Sequence, residues 1–293
     1  MALRFLHCSD IHLLSLRGVG PHRFLNKRLT GGVNLMLKRG KHHSEALFDR
    51  LVEHARGDAG GAAVDRLVIT GDLSNLALEA EFEHIVAKLD TAGVPVTVVP
   101  GNHDAYTRGS VRHRRFEQMF ARFMDGERFS GEDEHFYPFV QRHGDVALIG
   151  VSTAQASLPL YAVGTVGDSQ LARLDQILQA LEREGLARIV LIHHPVMPGV
   201  ASRRHDLVDL EAFGEVIARR GAELILHGHE HRAIEGTIPG RTAPVPVHGI
   251  SSATNLSRHP GREAAFSIYE VAGDRVERLV HRWDGSDFVA EAG

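Results

Sequence analysis

Side chains able to bind metals or move protons recur in this chain directly behind short apolar runs. Asp10 and His12 follow the run Leu3–Cys8, Asp72 and the nearby Asn75 follow Arg66–Thr70, and Asn102, His103 and Asp104 follow Val94–Val99. Farther along, His193 and His194 close the run starting at Arg188, and His227, His229, Glu230 and His231 follow Glu223–Leu226. Carboxylate, amide and imidazole are donors that suit Mn, Fe, Co, Ni or Zn, and no thiolate joins them, so a structural zinc–thiolate site is excluded. A magnesium-only site rarely needs this many imidazoles. Two divalent ions held about 3.5–4 Å apart can clamp both the attacking and the leaving oxygen of a displacement at phosphorus.

Taken singly, each block has an ordinary reading. Asp10 and His12 could form a strand-end loop, and Asp72, Ser74 or Asn75 could cap a helix. Asn102 suits a turn, and His229 with His231 could merely alternate on a strand. The weight lies in five such blocks all falling at strand ends. Gly71, Gly101 and Gly228 each precede a candidate ligand, where glycine permits positive φ and close backbone approach. The chain has 20 histidines against one cysteine, and most of them need no special role. His194 is read as a pocket residue touching substrate or as a packing residue, rather than as a further ligand. His7, His227 and His248 are read as strand, turn or core residues, and His42 and His43 as solvated loop residues. Cys8, in an apolar stretch, reads as core.

These residues must be positioned by the elements around them. Apolar runs rich in Val, Ile and Leu predict strands at Leu3–Cys8, Arg66–Thr70, Val94–Val99, Val146–Val151, Arg188–His193 and Glu223–Leu226. Helical patterns lie between them, over Ser44–Arg56, Leu76–Ala92, Arg112–Phe123, Ser169–Glu184 and Leu207–Arg219. This alternation predicts an α/β fold with largely parallel pairing, whose sites gather outside the carboxyl ends of the strands. After Glu230 the helices stop. Ala233–Ile238, Val245–Ile250, Ala264–Val271 and Arg275–Trp283 read as strands, the last two joined by a Gly273-Asp274 hairpin signal. They predict a second, mainly antiparallel sheet against the first, with residues 1–293 forming one domain.

Composition narrows the function classes. With 43% hydrophobic residues the chain can bury a full core, and a formal net charge of −4 does not mark a general nucleic-acid binder. No apolar run reaches the roughly 20 residues that span a bilayer. Arg4, His7 and Asp10 interrupt any leader-like apolar stretch, so a cytoplasmic location is the expectation.

The ordered blocks Asp10-x-His12, Gly71-Asp72, Gly101-Asn102-His103-Asp104, His193-x-Pro195 and Gly228-His229-x-His231 resemble those of the calcineurin-like metallophosphoesterases, in the branch of bacterial cyclic-nucleotide phosphodiesterases. The resemblance implies a four-layer α/β/β/α sandwich, two packed mixed sheets flanked by helices. It implies two metal ions. Asp10, His12 and His231 would hold one, Asn102, His193 and His229 the other, and Asp72 would bridge them. A hydroxide bridging the metals would be the nucleophile. His103 would stabilise charge on the phosphoryl group or protonate the leaving group, a role worth about 10²–10⁴ in rate. Asp104 would orient His103 by a hydrogen bond.

One segment stands outside these motifs. Residues 11–44 contain no acid, yet carry Arg17, Arg23, Lys27, Arg28, Lys38, Arg39 and Lys41 among bulky apolar side chains. Following directly on His12, it reads as a lid, as a patch at 17–41 for an anionic membrane surface or other anionic partner, or as a solvated loop. The leading expectation is a phosphodiesterase acting on a cyclic nucleotide or other small diester. A second is a membrane-associated hydrolase of a lipid-linked pyrophosphate such as UDP-diacylglucosamine. Against it, the family best known for that activity resembles Gly-Asn-Arg-Asp where this chain has His103. A third is a non-catalytic scaffold, against which all seven ligand positions are filled. No aromatic-interleaved basic groove points to a nuclease.

Overall fold

The computed structural model describes residues 2–24, 28, 43–127, 136–158, 160–257 and 259–291. Most of the basic segment, residues 25–27 and 29–42, lies outside them, so the lid, membrane-patch and solvated-loop readings do too.

The first half alternates as its hydrophobic pattern requires. β1 (Leu3–Cys8), β2 (Arg66–Thr70) and β3 (Val96–Val99) pair in parallel, with Phe5 beside Arg66 and Leu67 beside Val96. Between β1 and β2 runs α1 (Glu45–Arg56), which buries Leu47, Phe48, Leu51, Val52 and Ala55 on one face. It stops at Gly57, whose φ of 82° lets its N–H turn back onto the Glu53 and His54 carbonyls. α2 (Glu79–Asp90) follows β2 and buries Phe82, Ile85 and Leu89. It starts later than its apolar pattern suggests, because the buried Glu81 carboxylate takes the backbone N–H groups of Asn75, Leu76 and Leu78 and holds that stretch as a loop. The helix expected over 112–123 is two short ones, α3 (Arg108–Arg112) and α4 (Arg115–Phe120), broken where Arg114 turns left-handed at φ 45°.

The second half builds another layer pair. Its elements are β4 (Phe139–His143), β5 (Val146–Gly150), α5 (Asp168–Arg183), β6 (Ala187–Leu191), α6 (Leu210–Arg220), β7 (Leu224–His227), β8 (Ile234–Ile238) and β9 (Val245–Gly249). The chain then returns to the first sheet with β10 (Ala265–Ala272), β11 (Arg275–Trp283) and β12 (Phe288–Ala290). The sheets run β12-β11-β10-β1-β2-β3 and β4-β5-β6-β7-β9-β8, each mixing parallel and antiparallel pairs.

This corrects one expectation. The strands after Glu230 do not form a sheet of their own. β8 and β9 extend the second sheet beside β7, while β10 pairs antiparallel with β1 from Leu3↔Val271 to His7↔Ser267. The reason is edge satisfaction: β1 and β7 would each present an unpaired row of backbone donors and acceptors, and the C-terminal strands cover both. The α/β architecture of two mixed sheets flanked by helices stands as expected.

The second sheet shows how the layers stack. Leu148, Ile189, Leu191 and Leu226 share a core with the first sheet, whereas the alternating Ala147, Ile149, Val190 and Ile225 pack with Leu174, Ile177 and Leu178 of α5 and Phe213 and Ile217 of α6. Period-two alternation thus directs one face to sheet and one to helix. Among the described residues no helix is long and apolar enough to cross a membrane.

Candidate metal centre

Beyond the strand ends the backbones of neighbouring exits are joined. Asp10 N–H donates to Gly71 O (3.0 Å), His12 N–H to Asp72 O (3.1 Å) and Leu13 N–H to Leu73 O (2.9 Å), so the loops after β1 and β2 run together. The two sheets are tied at the same point. His193 Nδ1 lies 2.7 Å from Thr70 O and His229 N–H donates to Asp10 Oδ2 (2.9 Å), while within the second sheet Gly228 N–H reaches His193 O (3.2 Å). The crevice therefore lies across the seam between sheets, three exits coming from the first and two from the second, rather than along one sheet.

Close approach dictates the glycines. A Cβ on Gly101 would overlap the Asp72 carboxylate, and one on Gly228 would overlap the Ser9 hydroxyl and the Asp10 carboxylate. The ligand candidates themselves are bent into shape. Asp10, His12, Asp72, His229 and His231 all adopt positive φ, between 44° and 75°. Each such non-glycine residue stores on the order of 1 kcal/mol or more, an energy the joined loops must hold.

All seven predicted ligand residues converge. His12 Nε2 lies 3.2 Å from His231 Nε2, which in turn lies 3.2 Å from Asp10 Oδ1. On the other side His193 Nε2 lies 3.2 Å from both Asn102 Oδ1 and His229 Nδ1. Asp72 stands between the groups, with Oδ1 3.5 Å from His193 Nε2 and Oδ2 3.9 Å from His12 Nε2. Asp10, His12, Asp72, Asn102 and His193 are buried, while His229 and His231 are half-buried.

Hydrogen bonds to carbonyls fix the tautomers. His12 Nδ1 faces Ser74 O (3.2 Å), His193 Nδ1 faces Thr70 O, and His229 Nε2 faces His205 O (2.9 Å). A carbonyl can only accept, so these nitrogens carry the hydrogens and the opposite nitrogens present lone pairs whenever the ring is neutral. Those lone pairs point at one another and at Asn102 and Asp72 oxygens. Acceptors facing acceptors at such distances call for a cation. Asp10 Oδ1, buried and accepting no hydrogen bond, makes the same demand.

The electrostatics agree. Burial disfavours a charged His193, yet the Asp72 carboxylate and then Asp10 raise its pKa to about 9. Burial would raise the Asp72 carboxyl, but His193 and His103 outweigh it and hold it well below the usual range. Burial and then neighbouring His43 and His103 lower His12. A negative field at one nitrogen beside neutral imidazoles is the environment of a bound cation. Carboxylate, amide and imidazole donors fit divalent transition metals, so the residues present suit such a group.

His103, half-buried at the rim, is held through Nδ1 by Asn75 O (2.7 Å) and lies edge-on to His12, ring centroids 5.0 Å apart. The expected bond from Asp104 to the His103 ring is replaced by another arrangement. Asp104 accepts from Leu73 N–H (3.1 Å), Ser74 N–H (2.9 Å), Ser74 Oγ–H (2.9 Å) and Gly101 N–H (3.0 Å), pinning the loop after β2 to the loop after β3. A fully buried carboxylate surrounded by unpaired amides takes the amides first. Asp104 therefore positions loops rather than the ring.

His194 is also corrected. It is fully buried, with Nδ1 2.7 Å from Thr153 Oγ1 and Nε2 3.0 Å from Ala162 O, and it packs behind His229 at 4.3 Å. Both nitrogens are engaged inside the protein, so it offers nothing to a substrate; burial and then His193 lower its pKa to about 3. His43, read as a solvated loop residue, instead packs 4.8 Å from the His12 ring and 6.0 Å from His231, with Nδ1 2.9 Å from Thr254 Oγ1. No local signal marks it; only the pairing of its backbone with Asn255 brings it there. His7 and His227 are buried in the sheets, and His248 bonds Tyr269 OH (3.0 Å), as the core readings expect; Cys8 is buried too.

Comparison with known proteins places this geometry. A protein of Rhodopseudomonas palustris named a probable cyclic nucleotide phosphodiesterase is 25% identical over 206 residues, covering 69% of this chain and 65% of that protein, just under two thirds of its length. A Synechococcus protein of the same description is 25% identical across 99% of this chain and 95% of its own. The solved structure of a dimetal phosphatase from Danio rerio superposes with a TM-score of 0.64 at 17% identity, covering 98% of both chains, and so shares the fold. The family model for calcineurin-like phosphoesterases matches residues 3–233, from β1 through the last candidate ligand. The chain belongs to the calcineurin-like phosphoesterases, hydrolases of phosphate esters.

Proposed function

We propose that the chain is a two-metal phosphodiesterase acting on small phosphodiesters, cyclic nucleotides among them. The observation that carries this reading is the ring of donor atoms: three imidazole nitrogens whose ring partners are fixed on carbonyls, facing Asn102, Asp72 and one another, where a cation would replace the proton that His193 holds without metal. Asp10, His12 and His231 would hold one ion, Asn102, His193 and His229 the other, and Asp72 would reach both. Bound there, Mn, Fe, Zn, Co or Ni ions supply charge neutralisation at the phosphate and a nucleophile at neutral pH.

The protein's own contribution is positional. Thr70 O, Ser74 O and His205 O hold the imidazoles in the tautomer that presents a lone pair. His103 carries its proton on Nδ1 toward Asn75 O, which leaves Nε2 to face the phosphoryl oxygens. When protonated, it donates to the departing oxygen. Asn75 in turn donates through Nδ2 to His12 O (2.7 Å), so one residue sets the distance between the acid and a ligand.

The test is hydrolysis of bis-(p-nitrophenyl) phosphate by metal-loaded protein, with metal content read by elemental analysis. Asp72→Ala should lose hydrolysis and metal together, since it removes a group shared by both ion sites. His103→Ala should keep its metal and lose about 10²-fold or more in kcat. Wild-type protein that binds two ions yet leaves the diester intact sinks the reading, as does an Asp72→Ala variant with full activity.

A further inference from the structure

The stretch Ser9–His12 carries two of the side chains assigned to the first ion, Asp10 and His12, both at positive φ, 54° and 44°. It is buried, so each of its backbone polar groups must find a partner inside the protein. The N–H groups of Asp10 and His12 go to the loop after β2, at Gly71 O and Asp72 O. Three consecutive carbonyls are taken by one short loop after β9. Ala253 N–H donates to Ser9 O (3.0 Å), Ser252 Oγ–H to Asp10 O (2.6 Å) and Thr254 Oγ1–H to Ile11 O (2.8 Å).

Two of these three partners are side-chain hydroxyls, and Ser252 and Thr254 are both fully buried. Backbone bent left-handed at every second residue cannot keep the regular spacing of a strand ladder, so hydroxyls serve where amides would in a sheet. A hydroxyl has one hydrogen, and Thr254 spends it on Ile11 O. Its Oγ1 can then only accept from His43 Nδ1–H, 2.9 Å away, which ties a third element to the same point. Left-handed residues persist only where the surroundings hold them. Removing either hydroxyl would leave a buried carbonyl without a donor and let Asp10 or His12 relax, carrying its side chain with it. None of Asn102, His193 and His229 lies on this stretch.

We infer that Ser252 and Thr254 are positioning residues for the first of the two ions: their hydroxyls hold Asp10 and His12 in the left-handed backbone that aims both side chains at one cation. The inference rests on the two-metal reading for what those side chains bind. It is specific to one ion, because the loop after β9 touches the chain that carries Asp10 and His12 and leaves the second group to its own strand exits. Residues more than 240 positions from Asp10 thereby govern whether the pair is complete.

The experiment is titration of chelator-treated protein with Mn²⁺, followed by calorimetry and by electron paramagnetic resonance. The wild type should take up two ions and give the spectrum of an exchange-coupled pair. Ser252→Ala and Thr254→Val should each keep one ion at wild-type affinity and bind the other about 10–100-fold more weakly. Mn²⁺ just sufficient for the wild-type pair should then give the spectrum of an isolated ion. Thr254→Ser, which keeps the hydroxyl, should restore the pair. Ser251→Ala removes an equally buried hydroxyl of the same loop, bonded instead to Glu263 O, and should keep both ions. Two ions held at wild-type affinity in Ser252→Ala and Thr254→Val overturn the inference and leave the two-metal reading intact. So does loss of both ions together in these variants, or an equal loss in Ser251→Ala, since the loop would then serve the fold rather than one ligand pair. A wild type that never binds a second ion overturns the two-metal reading and the inference with it.

Discussion

Glu81 offers a test in which removing a buried acid changes how stability depends on pH. Its carboxyl is fully buried, and burial pushes its pKa from 4.5 to about 7 even though the N–H groups of Leu78, Leu76 and Asn75 pull it down. In the unfolded chain it titrates normally. Below about pH 4.5 both states are protonated and the folded protein has its full benefit. As pH rises toward 7 the unfolded chain ionises and the folded one resists, so stability falls through that window. A displacement of about 2.5 units corresponds to about 3 kcal/mol at ~1.36 kcal/mol per unit. Gln cannot ionise. Its carbonyl can accept from Leu76 and Leu78, but its amide nitrogen only donates, so the Asn75 N–H that a carboxyl oxygen accepts loses its partner. Glu81→Gln should therefore lie about 1–3 kcal/mol below the wild type at pH 5 and gain about 2–3 kcal/mol relative to it by pH 8. Urea denaturation of chelator-treated protein at the two pH values measures both numbers, and comparing variants cancels the other titrating groups. Parallel stability curves for the two proteins from pH 5 to 8 would refute the reasoning.

Other expectations are shorter. Gly228→Ala should cost metal on the His231 side and reduce hydrolysis more than tenfold, because the new Cβ displaces Ser9 and Asp10; metal analysis showing two ions retained contradicts this. In chelated protein His193 should stay protonated near pH 8, held by Asp72 and Asp10, so Zn²⁺ binding there should release about one proton, measured by calorimetry in buffers of different ionisation enthalpy. Phe82→Ala removes a buried ring packed edge-on to Phe116 and Phe120 and should cost about 3–5 kcal/mol in urea denaturation; a loss under about 1 kcal/mol would show that the helix layer collapses into the gap.

Much of the candidate site was legible because its ligands sit next to strand ends, where an apolar run stops and a polar block begins. Asp10, His12, Asp72, Asn102, His193, His229 and His231 all follow that local rule, and the structure gathers them. What was illegible depends on contacts distant along the chain. Which sheet the last strands join is set by open edges on β1 and β7, and no property of residues 264–283 states that. Asp104 sits beside His103 in sequence, so a bond to its neighbour was the natural reading, yet its oxygens go to amides about thirty positions away. His43 reaches the centre through pairing with residues beyond 250. His194 reads as a pocket residue from its neighbour, although its partners Thr153 and Ala162 lie some thirty to forty positions earlier in the loop after β5.

Since Asp10, His12, Asp72 and Asn102 leave one sheet while His193, His229 and His231 leave the other, the thickness of the apolar filling between the layers sets the spacing of the two proposed ligand groups. Leu148, Ile189, Leu191 and Leu226 are its shims. If Asp72 bridges two cations as proposed, trimming one by a methyl group would let the layers settle and change how the cations share that carboxylate. Activity could then be retuned from the protein's interior, at sites that never meet solvent.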